Sequence, residues 1–127
     1  MRNMDAELRT HKDLDAWKRS IDLVDAVYRM TKTFPPEELY GLTNQLRRAA
    51  VSVPSNIAEG AGRGSTKEFS QFLHIALGSL SEVETQIIIA KRLGYLDDSG
   101  DIEEQIQTVR KLILGLVRYL RARNGKE

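Results

Sequence analysis

The sequence predicts an all-α protein, an up-down-up-down four-helix bundle with a proline-kinked second helix. Three observations carry that prediction. Apolar residues recur at steps of three and four along four separate stretches. Short segments rich in Pro, Gly, Asp and Ser part those stretches, as connections between neighbouring helices require. No alternating run of β-branched residues lies between turn residues, so no strand competes. At 127 residues the chain has the length of one domain, and 41% hydrophobic against 29% charged residues is the balance of a folded protein. Residues 1–12 are expected to form a flexible N-terminal arm, 13–123 the bundle domain and 124–127 a C-terminal tail.

The first helix is expected to open at Asp13 or Asp15 as N-cap. Its leading apolar face is Leu14, Trp17, Ile21, Val24, Tyr28 and Thr31, with Leu23, Val27, Met30 and Phe34 as a second strip beside it. Phe34-Pro35-Pro36 ends it, because proline disfavours helical geometry in the residue before it yet suits the first turn of a new helix. Gly41 divides a short starting turn from the main second helix, whose apolar face is Leu39, Leu42, Leu46, Ala49 or Ala50, Val53 and Ile57. Pro54 falls inside that pattern. It has no N–H to give the Ala50 carbonyl, so a kink is expected there, with the Ser52 and Ser55 hydroxyls as replacement donors.

Gly60-Ala61-Gly62-Arg63-Gly64 reads as the next turn, and Ser65 with Glu68 as the capping box of helix three. Helix three has the cleanest period: Phe69, Leu73, Ala76, Leu80, Val83, Ile87, Ala90. The triplet Ile87-Ile88-Ile89 points three ways round the helix and is expected to be buried on several sides. Gly94 ends the helix, with Tyr95 and Leu96 folding back over it. Asp98, Ser99 or Asp101 starts helix four, which shows Ile102, Ile106, Val109, Ile113, Leu116 and Leu120, and Arg118, Arg121, Arg123 and Lys126 crowd its end.

Composition excludes several functions. The chain has no cysteine, which removes disulfides, thiolate catalysis and cysteine metal sites. No signal-like apolar segment opens the chain and no run of apolar residues is free of charge for a membrane crossing, so a cytoplasmic protein with no membrane role is expected. Net charge is +1, which gives no bulk attraction to nucleic acid, so any such binding must come from a local cluster.

The candidate chemistry is sparse. The glycine turn lacks the Gly-Lys-Ser/Thr order and the preceding strand of a phosphate loop. His74 is preceded at the relevant spacing by Gln71, not by an acid, so no di-metal carboxylate pattern forms, and no cofactor is expected. Glu59, Glu68, Glu82 and Glu84 have no partnered histidine or nucleophile, which favours surface roles over acid–base catalysis. Glu59 stands apart because Arg63, of this copy or another, is placed to pair with it. Arg47 and Arg48 form the best basic patch, with Arg63 and Lys67 as a second at the start of helix three, where free N–H groups favour an anion. Trp17, Tyr28, Tyr40, Tyr95 and Tyr119 read as core or interface anchors.

Several stretches resemble a known family: Leu14 to Trp17, Phe34-Pro35, Gly41 to Ala50, Val53 to Gly60 (Val-Pro-Ser-Asn-Ile-Ala-Glu-Gly), Glu68-Phe69 with Phe72-Leu73, and Gly78-Ser79 followed by Glu82 and Glu84. They are similar to the four-helix bundle proteins encoded within intervening sequences of bacterial 23S ribosomal RNA genes, over about residues 13–120. Leu77 stands where that family often has arginine. The resemblance implies a left-handed bundle assembled as a homopentamer. It also implies distant kinship to the accessory protein of diversity-generating retroelements, a basic pentamer that binds reverse transcriptase and nucleic acid.

Self-association has support from the residues too. Helices one, three and four carry apolar strips wider than one bundle core consumes. The expectation is a non-enzymatic homo-oligomeric scaffold that binds RNA or a ribonucleoprotein partner through Arg47, Arg48, Arg63 and Lys67. The alternatives are a protein-binding adaptor using the same surfaces and, with the least support, an RNA-processing enzyme.

Overall fold

A computed structural model of the protein describes His11 and residues 14–126, the side chains of 124–126 excepted. The arm expected at 1–12 therefore lies, His11 apart, outside the described residues, as does Asp13. Four α-helices are present: α1 (Asp15–Thr31), α2 (Leu42–Ala61), α3 (Thr66–Arg92) and α4 (Gly100–Lys126), with a 3₁₀ turn at Pro36–Glu38 and no strand among the described residues. α4 continues through residues 124–126, so the segment expected to be a tail is largely helix.

Each helix packs on the next in sequence and α1 packs on α4, while the backbones of the diagonal pairs α1/α3 and α2/α4 do not approach closely. The helices thus stand at the corners of a square around one core. Leu23 and Val27, Leu46, Val53 and Ile57, Leu73, Leu80, Val83 and Ile87, and Ile106, Val109 and Ile113 fill it and are wholly buried. Each such side chain contributes about 1.5–3 kcal/mol.

The core register of α1 differs from the sequence expectation. Ala16, Ser20, Leu23, Val27 and Thr31 are buried, whereas Ile21 and Tyr28 are exposed. Two apolar strips lie side by side on this helix, and the small residues Ala16 and Ser20 let the Leu23–Val27 strip sit closest to the other helices. Ser20 Oγ donates to the Trp17 carbonyl and Thr31 Oγ1 to the Val27 carbonyl, which is how a hydroxyl is tolerated there. The residue preceding the helix is the buried Leu14, with no side-chain cap, so Asp15 lies in the first turn and is not the N-cap.

α2 starts after Gly41 and keeps Pro54 buried inside an unbroken helix. The serines do not serve the Ala50 carbonyl. Ser55 Oγ donates to the Val51 carbonyl, and Ser52 Oγ bonds Ser79 Oγ of α3 at 2.8 Å. Asn56 Nδ2 donates to both the carbonyl and the hydroxyl of Ser52. Leu39 lies outside the helix and is exposed, and Tyr40 is 91% exposed, so neither belongs to the core.

Gly60 is not part of the turn. It is the buried penultimate residue of α2, and a Cβ there would fall 2.8 Å from Phe72 Cβ and 3.0 Å from the Phe69 ring of α3. Only a residue without a side chain lets the two helices meet at this distance. Ser65 then caps α3, its Oγ accepting from the Glu68 N–H at 3.1 Å. The other end of α3 closes at Gly94 (φ 79°), where the Tyr95 N–H reaches the Ala90 carbonyl. Of the isoleucine triplet only Ile87 is buried; Ile88 and Ile89 are nearly half exposed.

By length and composition alone α3 is long and apolar enough to cross a membrane. Leu73, Leu80, Val83 and Ile87 on this helix are nonetheless core side chains of the bundle. α4 begins at Gly100, preceded by Ser99 and with Asp98 Oδ1 accepting the Gly100 N–H, so Asp101 is a first-turn residue and not the cap.

Candidate interaction surfaces

Two basic patches result, and they do not join. Arg47 lies near the start of α2 and Arg63 just past its end, roughly 24 Å apart at about 1.5 Å per residue.

Arg47 is half-buried and held. Its Nε donates to Thr31 Oγ1 at 2.8 Å, and its guanidinium lies 4.7 Å from the centroid of the Tyr28 ring. Both partners are on α1, so this arginine ties α1 to α2. Arg48, one position on, is exposed and pairs with none of the described residues.

Arg63 pairs with Glu59 at 3.0 Å, lies 4.0 Å from Glu68, and stacks 5.0 Å from the Phe72 ring centroid. The Glu59 pair is within one chain and about half exposed, so it stabilises the hairpin by well under 1 kcal/mol. Its effect is to spend much of the positive charge at this end.

Lys67 is exposed and lines a groove of about 740 Å³ between α3 and α4, with His74, Arg121, Ile75 and Leu120. His74 is exposed and its Nδ1 lies 2.8 Å from the Ser70 carbonyl, which accepts a hydrogen bond from the ring when Nδ1 carries the hydrogen. A second groove, about 490 Å³, lies between α1 and α4 and is lined by Arg19, Asp22, Asp25, Arg29, Asp101 and Glu104. Among the described residues no group of three or more His, Cys, Asp or Glu is arranged to hold a metal ion.

Three polar ties were not visible in the sequence. Glu84 of α3 accepts from Arg110 at 2.9 Å and from Gln107 at 3.1 Å, both on α4. Tyr95 donates to Glu38 Oε2 at 2.8 Å, while Glu38 Oε1 accepts the Leu42 N–H and so caps α2. The Tyr95 hydroxyl and then the Leu42 N–H hold the Glu38 carboxyl below its usual range, and the same bond raises the Tyr95 phenol. The Ser52–Ser79 bridge is the third. Each joins residues far apart in the chain, and no periodicity marks them.

Apolar residues gather on two outer faces. Trp17, Ile21, Val24 and Tyr28 follow one another at steps of four, three and four along α1, and Val51, four residues from Arg47, continues that face onto α2. Ile75, Ile89 and Leu93 form the other on α3; Ile75 stands one turn before Ser79, which meets α2, and the far edge of this face reaches the α3–α4 groove.

The family model described as 23S rRNA-intervening sequence protein matches residues 12–115. No curated protein matches the chain.

Proposed function

The chain belongs to the 23S rRNA-intervening sequence protein family, and from that premise we propose a non-enzymatic, self-associating helical scaffold that binds RNA or a ribonucleoprotein partner. The observation that carries this reading is the pair of apolar outer faces, with Ile21, Tyr28 and Val51 on one and Ile75, Ile89 and Leu93 on the other. A lone copy in water leaves them uncovered, which is atypical of monomers. The proposed bundle runs up-down-up-down with a left-handed twist, and short connections between successive helices support it. α2 bends at Pro54, which removes a donor from mid-helix. Five copies form the assembly, and the protein works in the cytoplasm away from membranes.

RNA contact falls first to Arg48 and Lys67, which are exposed and have no ion-pair partner among the described residues; Arg47 and Arg63 are already engaged within the chain. A ring repeats each patch, so near-neutral net charge does not preclude binding. Salt titration of affinity for a fragment of 23S ribosomal RNA tests this. Binding should fall steeply with salt, and Arg48→Ala should reduce the slope by about one contact's worth. No binding at low salt overturns the nucleic-acid reading.

One observation favours a second reading, a protein-binding adaptor with no nucleic-acid role. Half of the four basic residues expected to contact RNA are partnered inside the chain. A partner captured with no salt dependence would support it.

A further inference from the structure

The self-association proposed above does not say which surfaces meet, and the two apolar faces differ in kind. The α1–α2 face has Ile21 and Tyr28 at its centre and the half-buried Arg47 at its edge. Thr31 takes Nε of that arginine and the Tyr28 ring one face of its guanidinium, which leaves the two terminal nitrogens without a hydrogen-bond partner among the described residues, held in a fixed position. The α3 flank has the opposite sign. Ile75, Glu82 and Ile89 recur every seven residues, so an exposed carboxylate with no ion-pair partner among the described residues sits between two exposed isoleucines, and Leu93 extends the line. The stripes match in length: Trp17 to Tyr28 rises roughly 17 Å and Ile75 to Ile89 roughly 21 Å at about 1.5 Å per residue. Each face is complementary to the other and neither to itself, so a copy of this chain is the occupant that fits both.

The faces also meet at a usable angle. In helical register Ile75, Glu82 and Ile89 lie beside Ser79, which meets α2, so the two faces are neighbouring sides of the square that share the corner occupied by α2. With the bundle axis along the ring axis, their outward directions lie about 90° apart. A closed ring needs about 90° for four copies and about 108° for five, whereas opposite faces would give an open filament.

We propose that the α1–α2 face of one copy docks on the α3 flank of the next, head to tail around a small closed ring, with Arg47 meeting the neighbour's carboxylate between the two isoleucines. This assignment rests on the self-association reading. The absence of native cysteine makes the test clean. Ile21→Cys and Ile89→Cys are made singly and together, and circular dichroism verifies that each variant is folded. Oxidation of the double variant should give a covalent ladder of copies, and a mixture of the two single variants should give a dimer that neither gives alone. Homodimers from a single variant would mean a two-fold interface and overturn the assignment. A multimeric mass by light scattering with no cross-link between the two positions would overturn it and leave self-association standing. A folded monomer would overturn both. Independently, Glu82→Arg at this exposed position should weaken association at least tenfold, and Arg47→Glu combined with it should restore association. Failure of that restoration would also overturn the assignment.

Discussion

The α2–α3 seam and the α1–α4 seam are built from opposite materials. Where α2 meets α3, the contacting residues are small: Gly60 lies against Phe69 and Phe72, and Ser52 lies against Ser79 with Asn56 alongside. The helices approach until hydroxyl reaches hydroxyl. Where α1 meets α4, four acids and two arginines line an open groove of about 490 Å³, and no ion pair forms among them. The charged side chains along this groove are exposed and stay in water. The difference teaches that closeness in this bundle is set by side-chain size at the seam. The core leucines and isoleucines are common to both seams.

Four perturbations would break or sharpen that contrast. The largest effect is expected from Gly60→Ala. Alanine in a helix is ordinarily favoured over glycine by about 1 kcal/mol. Here its Cβ would overlap Phe72, so the variant should instead lose about 1–3 kcal/mol in urea unfolding. Ser52→Ala should cost about 1 kcal/mol, and Ser52→Ala with Ser79→Ala little more than the single change, because the two share one bond.

A smaller effect should appear as pH dependence at the end of the bundle where Tyr95 meets Glu38. The Glu38 carboxyl is held below 4.5, so its contribution is present above the ordinary carboxylate pKa and is lost as pH falls through the lower folded value. The Tyr95 phenol is held above 10.0, so its contribution is present below that and is lost as pH rises through the higher folded value. Tyr95→Phe should flatten both limbs of a stability–pH curve. The smallest change belongs to the open groove: Asp22→Asn should move stability by less than about 0.5 kcal/mol.

Much of the fold was legible in the chain because helices announce themselves by period and punctuation. The four helices, the Ser65 cap, the proline inside α2 and the Gly94 ending all follow from local residue chemistry. The register of α1 did not, since two apolar strips of similar strength sit on one helix and only the neighbours decide between them. Ala16 and Ser20 mark the closer strip by being small, a signal that hydrophobicity alone ranks low. Gly60 read as a turn residue because glycine next to Ala61-Gly62 usually is one, and Phe72 had to be in place before its other use could be recognised. The basic residues were found by type, but whether each was free depended on partners such as Thr31, which lies 16 residues from Arg47.

The close approach at Gly60 also bears on the order in which the protein is made. Residue 60 and residue 72 are near in sequence, so bringing them together closes a short loop at small entropic cost. α2 and α3 can therefore fasten together while the last quarter of the chain is still being synthesised, and α4 arrives at a surface that α3 already presents. In stopped-flow refolding, Gly60→Ala should slow the forward rate and leave the unfolding rate nearly unchanged. The reverse pattern would mean that this hairpin closes late.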